Sequence, residues 1–193
     1  HSHINYFIDV TMQKSRLSEA QAVARELVTY YEANTIVDTI LCLDGMEIVV
    51  DRIVKRQEIY GEEIPFGTNI LFSCDTVKGL VVGCEICEDL WAPISPSSKL
   101  AMAGAEIIVN LAASNETVGK RAYRRNLVCH QSSVCGCVYA YCSSGCTEST
   151  ADLVFSGHSM IAAGGTVLAE NEKLIDTDYL LIQDADLGKI RSK

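Results

Sequence analysis

Three runs, "GLVVGCEIC" (79–87), "AEIIVNLA" (105–112) and "CVYAYCSS" (137–144), are too apolar to alternate between a wet and a dry face. Strands of that composition are buried on both sides, as in the interior of a sheet that other layers cover. A fourth β-rich run, "TNILFSC", precedes them. "GKRAYRRNLVCHQSSV" between the last two is long enough for a helix that keeps a charged face in water. Strands alternating with helical stretches indicate α/β or α+β architecture. "HSMIAAGGTVLAENE" is predicted to form a hairpin around Gly164-Gly165, and "YLLIQDADL" a closing strand.

The first fifty residues have a different character. In "SRLSEAQAVARELVTYYEA", Ser18 and Gln21 fit a capping box, and Ala20, Val23, Ala24, Leu27, Val28 and Tyr31 repeat at helical spacing. "TIVDTILCL" predicts a buried strand, and Asp44-Gly45 a turn. The charged stretch "DRIVKRQEIYGEE" follows and is expected to be a linker. The composition change near Val50 therefore divides the chain into a helix–strand segment, 1–50, of different or unknown origin, and a second part, 51–193.

A net charge of −9 over 193 residues argues against a nucleic-acid or anionic-membrane partner, since phosphate binding depends on Lys and Arg. No apolar stretch approaches the twenty residues of a membrane span. The nine cysteines are odd in number, and "HSHINYFIDV" lacks a secretory pattern, so reduced thiols and a cytoplasmic location are expected.

The chemistry concentrates in "VVGCEICEDLW". Cys84-x-x-Cys87, Cys135-x-Cys137 and Cys142-x-x-x-Cys146 nominally offer four thiolates, but Cys84 and Cys87 lie in an apolar β-rich run rather than a Gly-rich zinc knuckle. A redox pair needs its Cys-x-x-Cys to open a helix, and "APISPSS" follows instead. No metal site is expected. Cys42, Cys74, Cys84, Cys129, Cys135, Cys137, Cys142 and Cys146 read as small buried hydrophobes, the usual state of free cysteine. Cys87 stands apart because it ends an apolar strand. At a sharp strand exit a sulfur can project into a pocket while the next N–H faces a developing oxyanion. A packed strand end is the competing reading. The Glu88-Asp89 pair beyond it is hard to bury without partners.

"CEICEDLWAPISPSS", "AGAEIIVNLAASNETVGKRAYRRNLVCHQSS" and "GCTESTADLVFSGHSMIAAGGTVLAE" resemble, in order and spacing, the glutaminase domain of glutamine-dependent NAD+ synthetases, a branch of the nitrilase-superfamily carbon–nitrogen hydrolases. The resemblance runs from about Tyr60 to Lys193. It implies part of a four-layer α-β-β-α sandwich, with Cys87 as nucleophile and Glu88, Ser114, Asn115 and Lys120 at the substrate. Glutamine would be hydrolysed through a thioester, with no cofactor for that step. The released ammonia would pass to a synthetase domain that amidates deamido-NAD+ with ATP. Glutamine, that synthetase domain and a second copy of the chain are the expected partners. The alternative is a non-catalytic or metal-stabilised binding module on the same scaffold.

The family's general-base glutamate and catalytic lysine sit upstream, in F-P-E-like and P-K-x-Y-L-P-like words that do not occur in this sequence. Lys55 lies near the right distance in unmatched surroundings, and Glu62 and Glu63 read as a solvated pair. The synthetase half's Ser-Gly-Gly phosphate loop is likewise missing from these residues, and Thr147 replaces a usual glycine. "SHINYFIDV" with "VDTILCLDGMEIV" is similar to the opening of a phosphoribosyltransferase-like family, without the acidic loop such enzymes need.

Overall fold

The computed structural model describes residues 46–50, 55–59, 62–146, 153–171 and 180–192. The expected helix in 15–33, the strand in 35–43, the turn at 44–45 and Thr147 lie outside them. The described strands are β1 (Met46–Val50), β2 (Lys55–Ile59), β3 (Glu62–Phe66), β4 (Ile70–Cys74), β5 (Val81–Ile86), β6 (Ile107–Ala112), β7 (Val138–Ser143), β8 (Ser159–Ala163) and β9 (Thr166–Glu170). Three helices are α1 (Pro96–Met102), α2 (Lys120–Val134) and α3 (Leu187–Arg191), and a 3-10 turn covers Cys87–Trp91.

Seven strands form one mixed sheet in the order β1-β4-β5-β6-β7-β8-β9. The three runs read as buried strands are its centre: β5, β6 and β7 run parallel, with Ile86 opposite Leu111 and Leu111 opposite Cys142. Parallel neighbours need crossovers, which the turn with α1, and then α2, supply. The antiparallel β8–β9 pair turns at Gly164-Gly165, as the Gly-Gly pair predicts; both glycines have positive φ, 56° and 88°.

Each central strand buries both faces, and its residues divide by parity. Ile108, Tyr139 and Tyr141 join Leu100 of α1, Val128 of α2 and Leu90 in one apolar cluster. Val82, Ile107, Val109, Val138 and Ala140 face the other way and meet Leu187 and, partly buried, Leu181, Ala185 and Ile190. Helices α1 and α2 therefore cover one face, and the C-terminal segment covers the other. Along α2 the buried residues Arg124, Val128, Gln131 and Ser132 follow helical spacing, which leaves the charged remainder in water.

Two expectations are corrected. The charged stretch after Asp51 is not a plain linker: Lys55–Ile59 and Glu62–Phe66 pair as an antiparallel hairpin, Lys55 opposite Phe66. The run "YLLIQDADL" does not close the sheet as a strand. Residues 180–186 carry no strand, and Asp186 then caps α3 by accepting the Lys189 N–H at 3.1 Å.

Gly83 marks where α1 comes closest to the sheet. A Cβ built there would lie 3.1 Å from Leu100 Cβ and Cδ1 and 3.2 Å from Ile108 Cδ1. Gly83→Ala is expected to lower the stability of the chain by about 1–3 kcal/mol through overpacking, read as an earlier midpoint in urea unfolding. A midpoint at or above that of the parent chain would show that α1 has room to move away.

Candidate active site

Strand β5 stops at Ile86, and Cys87 opens the 3-10 turn with φ of 47°. It is the one non-glycine residue of positive φ among the described residues. Such a conformation costs of the order of 1–3 kcal/mol and persists only where surrounding groups hold it. They do so here from three sides. Asp89 turns back so that its Oδ2 accepts the Ile86 N–H at 2.9 Å. Asn110, on the neighbouring strand, accepts the Cys87 N–H through Oδ1 at 3.0 Å and reaches the Cys87 carbonyl with Nδ2 at 3.4 Å. Trp91, at the end of the turn, leans on Tyr123 of α2 with ring centroids 6.4 Å apart.

Asn110 is itself held. Its Nδ2 also donates to Tyr139 Oη at 3.0 Å, and the Tyr139 hydroxyl donates to Glu85 Oε1. Glu85 is 1% exposed, and its other oxygen accepts Ser95 Oγ at 2.5 Å and the Ser97 N–H at 2.7 Å. A carboxylate thus caps the N-terminus of α1, where the first N–H groups have no helical partner. Burial, and then the adjoining Glu85, push the Tyr139 phenol well above its ordinary value, so it stays a hydrogen-bond donor.

At the mouth of β6 the chain turns through Ser114, which is buried, and half-buried Asn115. The Ser114 N–H donates to Ser143 Oγ at the end of β7 (3.2 Å), and Asn115 bridges to Phe155. Lys120, the first residue of α2, donates through Nζ to Asn115 Oδ1. One turn on, Arg124 is fully buried. Its Nη1 reaches Ser114 Oγ (3.4 Å) and the Asn115 carbonyl (3.3 Å), Nη2 pairs with Glu116, and Nε donates to His158 Nδ1 at 3.1 Å. Since His158 Nδ1 accepts, its proton sits on Nε2, which donates to Glu170 Oε1 at 2.9 Å. Arg121 and Arg125 close the network on Glu170 at 3.1 and 3.0 Å.

The charges follow from this packing. Burial pushes the Glu116 carboxyl up, but hydrogen bonds from Ser156 and Arg124 outweigh it and hold it below its usual range. Glu170 shows the same balance, with His158, Arg121 and Arg125 as partners. Burial lowers His158 to about 4, beyond what Glu170 restores, with the Arg121 and Arg124 charges adding to the drop; the ring is neutral. Tyr141 lies on the same sheet face, and burial raises its phenol to about 12. Its hydroxyl lies beside those of Ser114 and Ser143 without a hydrogen bond of good geometry, the one such buried side-chain atom among the described residues.

Of the residues predicted for the site, Cys87 follows the end of β5, Ser114 and Asn115 follow the end of its parallel neighbour β6, and Lys120 reaches Asn115 from the start of α2. Glu88, one residue beyond the thiol, is exposed. Asn110, Glu85, Tyr139, Arg124 and His158 are the residues that sequence reasoning passed over. For Glu85, Asn110 and Tyr139 the signal was a polar side chain inside an apolar run, which must find partners if buried, whereas Arg124 in "KRAYRRN" and His158 in "SGHS" gave no such signal. The described cysteines are all free. Cys84 is pushed up to about 12 and Cys142 is raised, both chiefly by burial, which makes them inert. Cys135 is lowered, first by a hydrogen bond from Cys137. Among the described residues no group of three or more His, Cys, Asp or Glu is placed to hold a metal, and no helix is long and apolar enough to cross a membrane.

The family model for carbon–nitrogen hydrolases matches residues 14–193, running through the composition change near Val50. The glutamine-dependent NAD(+) synthetase of Mycobacterium tuberculosis is 38% identical over 135 residues, covering 70% of this chain and 20% of that one. The human protein of the same name is 35% identical over 133 residues, 68% of this chain and 18% of that one. The chain thus spans about a fifth of the length of the curated relatives it matches. A glutamine-dependent NAD(+) synthetase from Cytophaga hutchinsonii superposes with a TM-score of 0.55 at 26% identity, covering 65% of this chain and 19% of that one. Saccharomyces cerevisiae Nit3, of branch 10 of the nitrilase superfamily, shares the fold with a TM-score of 0.50 at 19% identity, covering 67% and 45%.

Two outcomes are expected. Under limiting iodoacetamide, peptide mapping should show Cys87 alkylated well before Cys84 and Cys142; the reverse order would remove the case for a reactive thiol at the strand exit. The second concerns pH. Unfolded His158 binds its proton near 6.5, whereas the folded ring does so only near 4. Stability from this site is therefore complete above pH 6.5, falls as pH drops from 6.5 toward 4, and changes no further below. The drop should reach at most about 3 kcal/mol. His158→Gln is expected to flatten urea-derived stability across that window. An unchanged slope in the variant would place the pH dependence elsewhere.

Proposed function

We propose, from the premise that this chain belongs to the carbon–nitrogen hydrolase family, that it carries the thiol-bearing part of a glutamine-hydrolysing site within a four-layer α-β-β-α sandwich. The observation that carries this reading is the left-handed Cys87 at the end of a central parallel strand, beside the strand end that bears Ser114 and Asn115. The two curated relatives described above are named glutamine-dependent NAD(+) synthetases, which supports glutamine as the amide.

In the proposed reaction the Cys87 thiolate attacks the side-chain amide carbon of glutamine. The C–S bond forms as the carbonyl π pair moves to oxygen. Because Asn110 occupies the Cys87 N–H, the free main-chain donor for that oxyanion is the next one along, at Glu88. Collapse breaks the C–N bond, and the nitrogen leaves as ammonia after protonation. Water then attacks the thioester and releases glutamate and the thiol. Ser114, Asn115 and Lys120 hold the amino-acid end of the substrate, while Glu88 borders it. The step uses no cofactor. The ammonia would be consumed in amidating deamido-NAD+ with ATP, by a synthetase domain like that in the relatives' name.

Neither the family's upstream glutamate word nor its lysine word occurs in these residues. Loss of a general base costs about 10²–10⁴ in rate. The 193-residue chain is therefore expected to release glutamate from glutamine scarcely above a Cys87→Ala blank. Binding is tested separately. Millimolar glutamine, in the usual range of enzyme KM values, should slow iodoacetamide labelling of Cys87 and leave Cys135 unchanged, and Lys120→Ala should weaken that protection. Equal labelling with and without glutamine would sink the substrate assignment.

A further inference from the structure

We infer that Asn110 is the positioning residue for the nucleophile: its side-chain amide clamps both main-chain groups of Cys87 and, through Tyr139 and the buried Glu85, anchors the strained elbow to the N-terminus of α1. The inference rests on Cys87 as the reactive thiol and deepens that part of the proposed function.

The argument starts from parity. On β5, Val81 packs with the helix-covered cluster while Val82 and Cys84 pack on the opposite face, so Gly83 and Glu85 lie beneath α1. Cys87 has the same parity. An extended Cys87 would carry its sulfur under the helices, toward the layer that Glu85 occupies. The left-handed backbone instead ends the strand one residue early and leaves the residue half-buried at the sheet's mouth. That conformation is disfavoured by about tenfold in population for a residue with a Cβ. Something must oppose the relaxation, and the amide of Asn110 is built to do so.

Its oxygen takes the Cys87 N–H at 3.0 Å, and its nitrogen divides between the Cys87 carbonyl at 3.4 Å and Tyr139 Oη at 3.0 Å. Asn110 is fully buried, on a central strand, with one polar side chain reaching across to each neighbouring strand. An aliphatic residue would fill the same core position, so packing alone gives no reason for an amide. The amide's orientation is set in turn. Tyr139 must donate to the Glu85 carboxylate, so its oxygen can only accept from Asn110, and the Asn110 nitrogen therefore faces Tyr139. This leaves Oδ1 for the Cys87 N–H. One carboxylate thus fixes, through two side chains, which way the clamp closes.

The test follows the alkylation of Cys87 by iodoacetamide against pH in the full chain, with near-UV circular dichroism and the labelling order of the other cysteines as controls for folding. Asn110→Leu is expected to lower the Cys87 rate about tenfold at every pH, the population argument above, without moving the midpoint. Asn110→Asp places a carboxylate against the Cys87 main chain and should shift the midpoint to higher pH. A Cys87 rate equal to or above that of the parent in a folded Asn110→Leu chain overturns the inference, as does an unmoved midpoint in Asn110→Asp. If Asn110→Leu fails the folding controls, Tyr139→Phe decides the matter. It keeps the ring and cuts the link to Glu85, and a Cys87 rate unchanged from the parent then overturns the inference. Loss of glutamine protection in the unmodified chain would defeat the substrate assignment while leaving these contrasts intact.

Discussion

A single buried carboxylate, Glu85, bears on every element around the candidate site. Placed on a central strand beneath α1, it would be strongly destabilising without partners, because a desolvated charge must be matched by hydrogen bonds. It has three: the Ser95 hydroxyl, the Ser97 N–H and the Tyr139 phenol. The Ser95 hydroxyl reaches across to this carboxylate and makes no side-chain cap bond to its own helix. Gln131 of α2 extends the network through the Ser97 hydroxyl at 2.9 Å. Two helices and two strands are therefore registered on one another by polar contacts of fixed direction, which apolar packing alone does not provide.

A second network behaves differently. Arg124 sits at the start of α2 and gathers Ser114, the Asn115 carbonyl, Glu116, Ser156 and His158. These groups belong to the loop after β6 and to the segment before β8. Their order comes from one guanidinium whose planar fork presents donors in several directions at once. Because His158 is neutral and Glu116 and Glu170 are ionised, the cluster holds three arginines against two carboxylates, and Lys120 adds a further positive charge beside Asn115. The mouth of β6 thus carries a local excess of positive charge.

How much of this was legible beforehand depended on the kind of signal. Strands β4 to β7, helix α2 and the Gly164-Gly165 hairpin announce themselves through apolar runs and turn chemistry, which are local properties. The β2–β3 hairpin does not, because "KRQEI" and "EEIPF" have too few apolar residues to show a period of two. The C-terminal run misled for the opposite reason. Leu181, Ala185, Leu187 and Ile190 are apolar because they cover the sheet, not because they extend it, and Asp186 was the overlooked sign of a helix start. At the site, Cys87 with Ser114, Asn115 and Lys120 could be singled out, whereas Asn110 and Glu85 could not. A polar residue in an apolar strand reveals its purpose only once its cross-strand partners are known, and register is not local.

The two networks meet at the sheet's mouth and divide the work there. Asn110 acts on the main chain of Cys87, and Glu85 holds Asn110 in place through Tyr139. Arg124 acts on the loop beside it through the Asn115 carbonyl, while the Asn115 side chain accepts from Lys120. Neither network places a titrating base against Cys87, since their carboxylates are committed to Ser, Tyr, His and Arg partners. Among the described residues the helix-covered face of β5 to β7 thus sets the direction and shape of the elbow. The separation has a physical rationale: carboxylates that serve as permanent struts of the core are held at fixed charge, because each change of charge would load the fold.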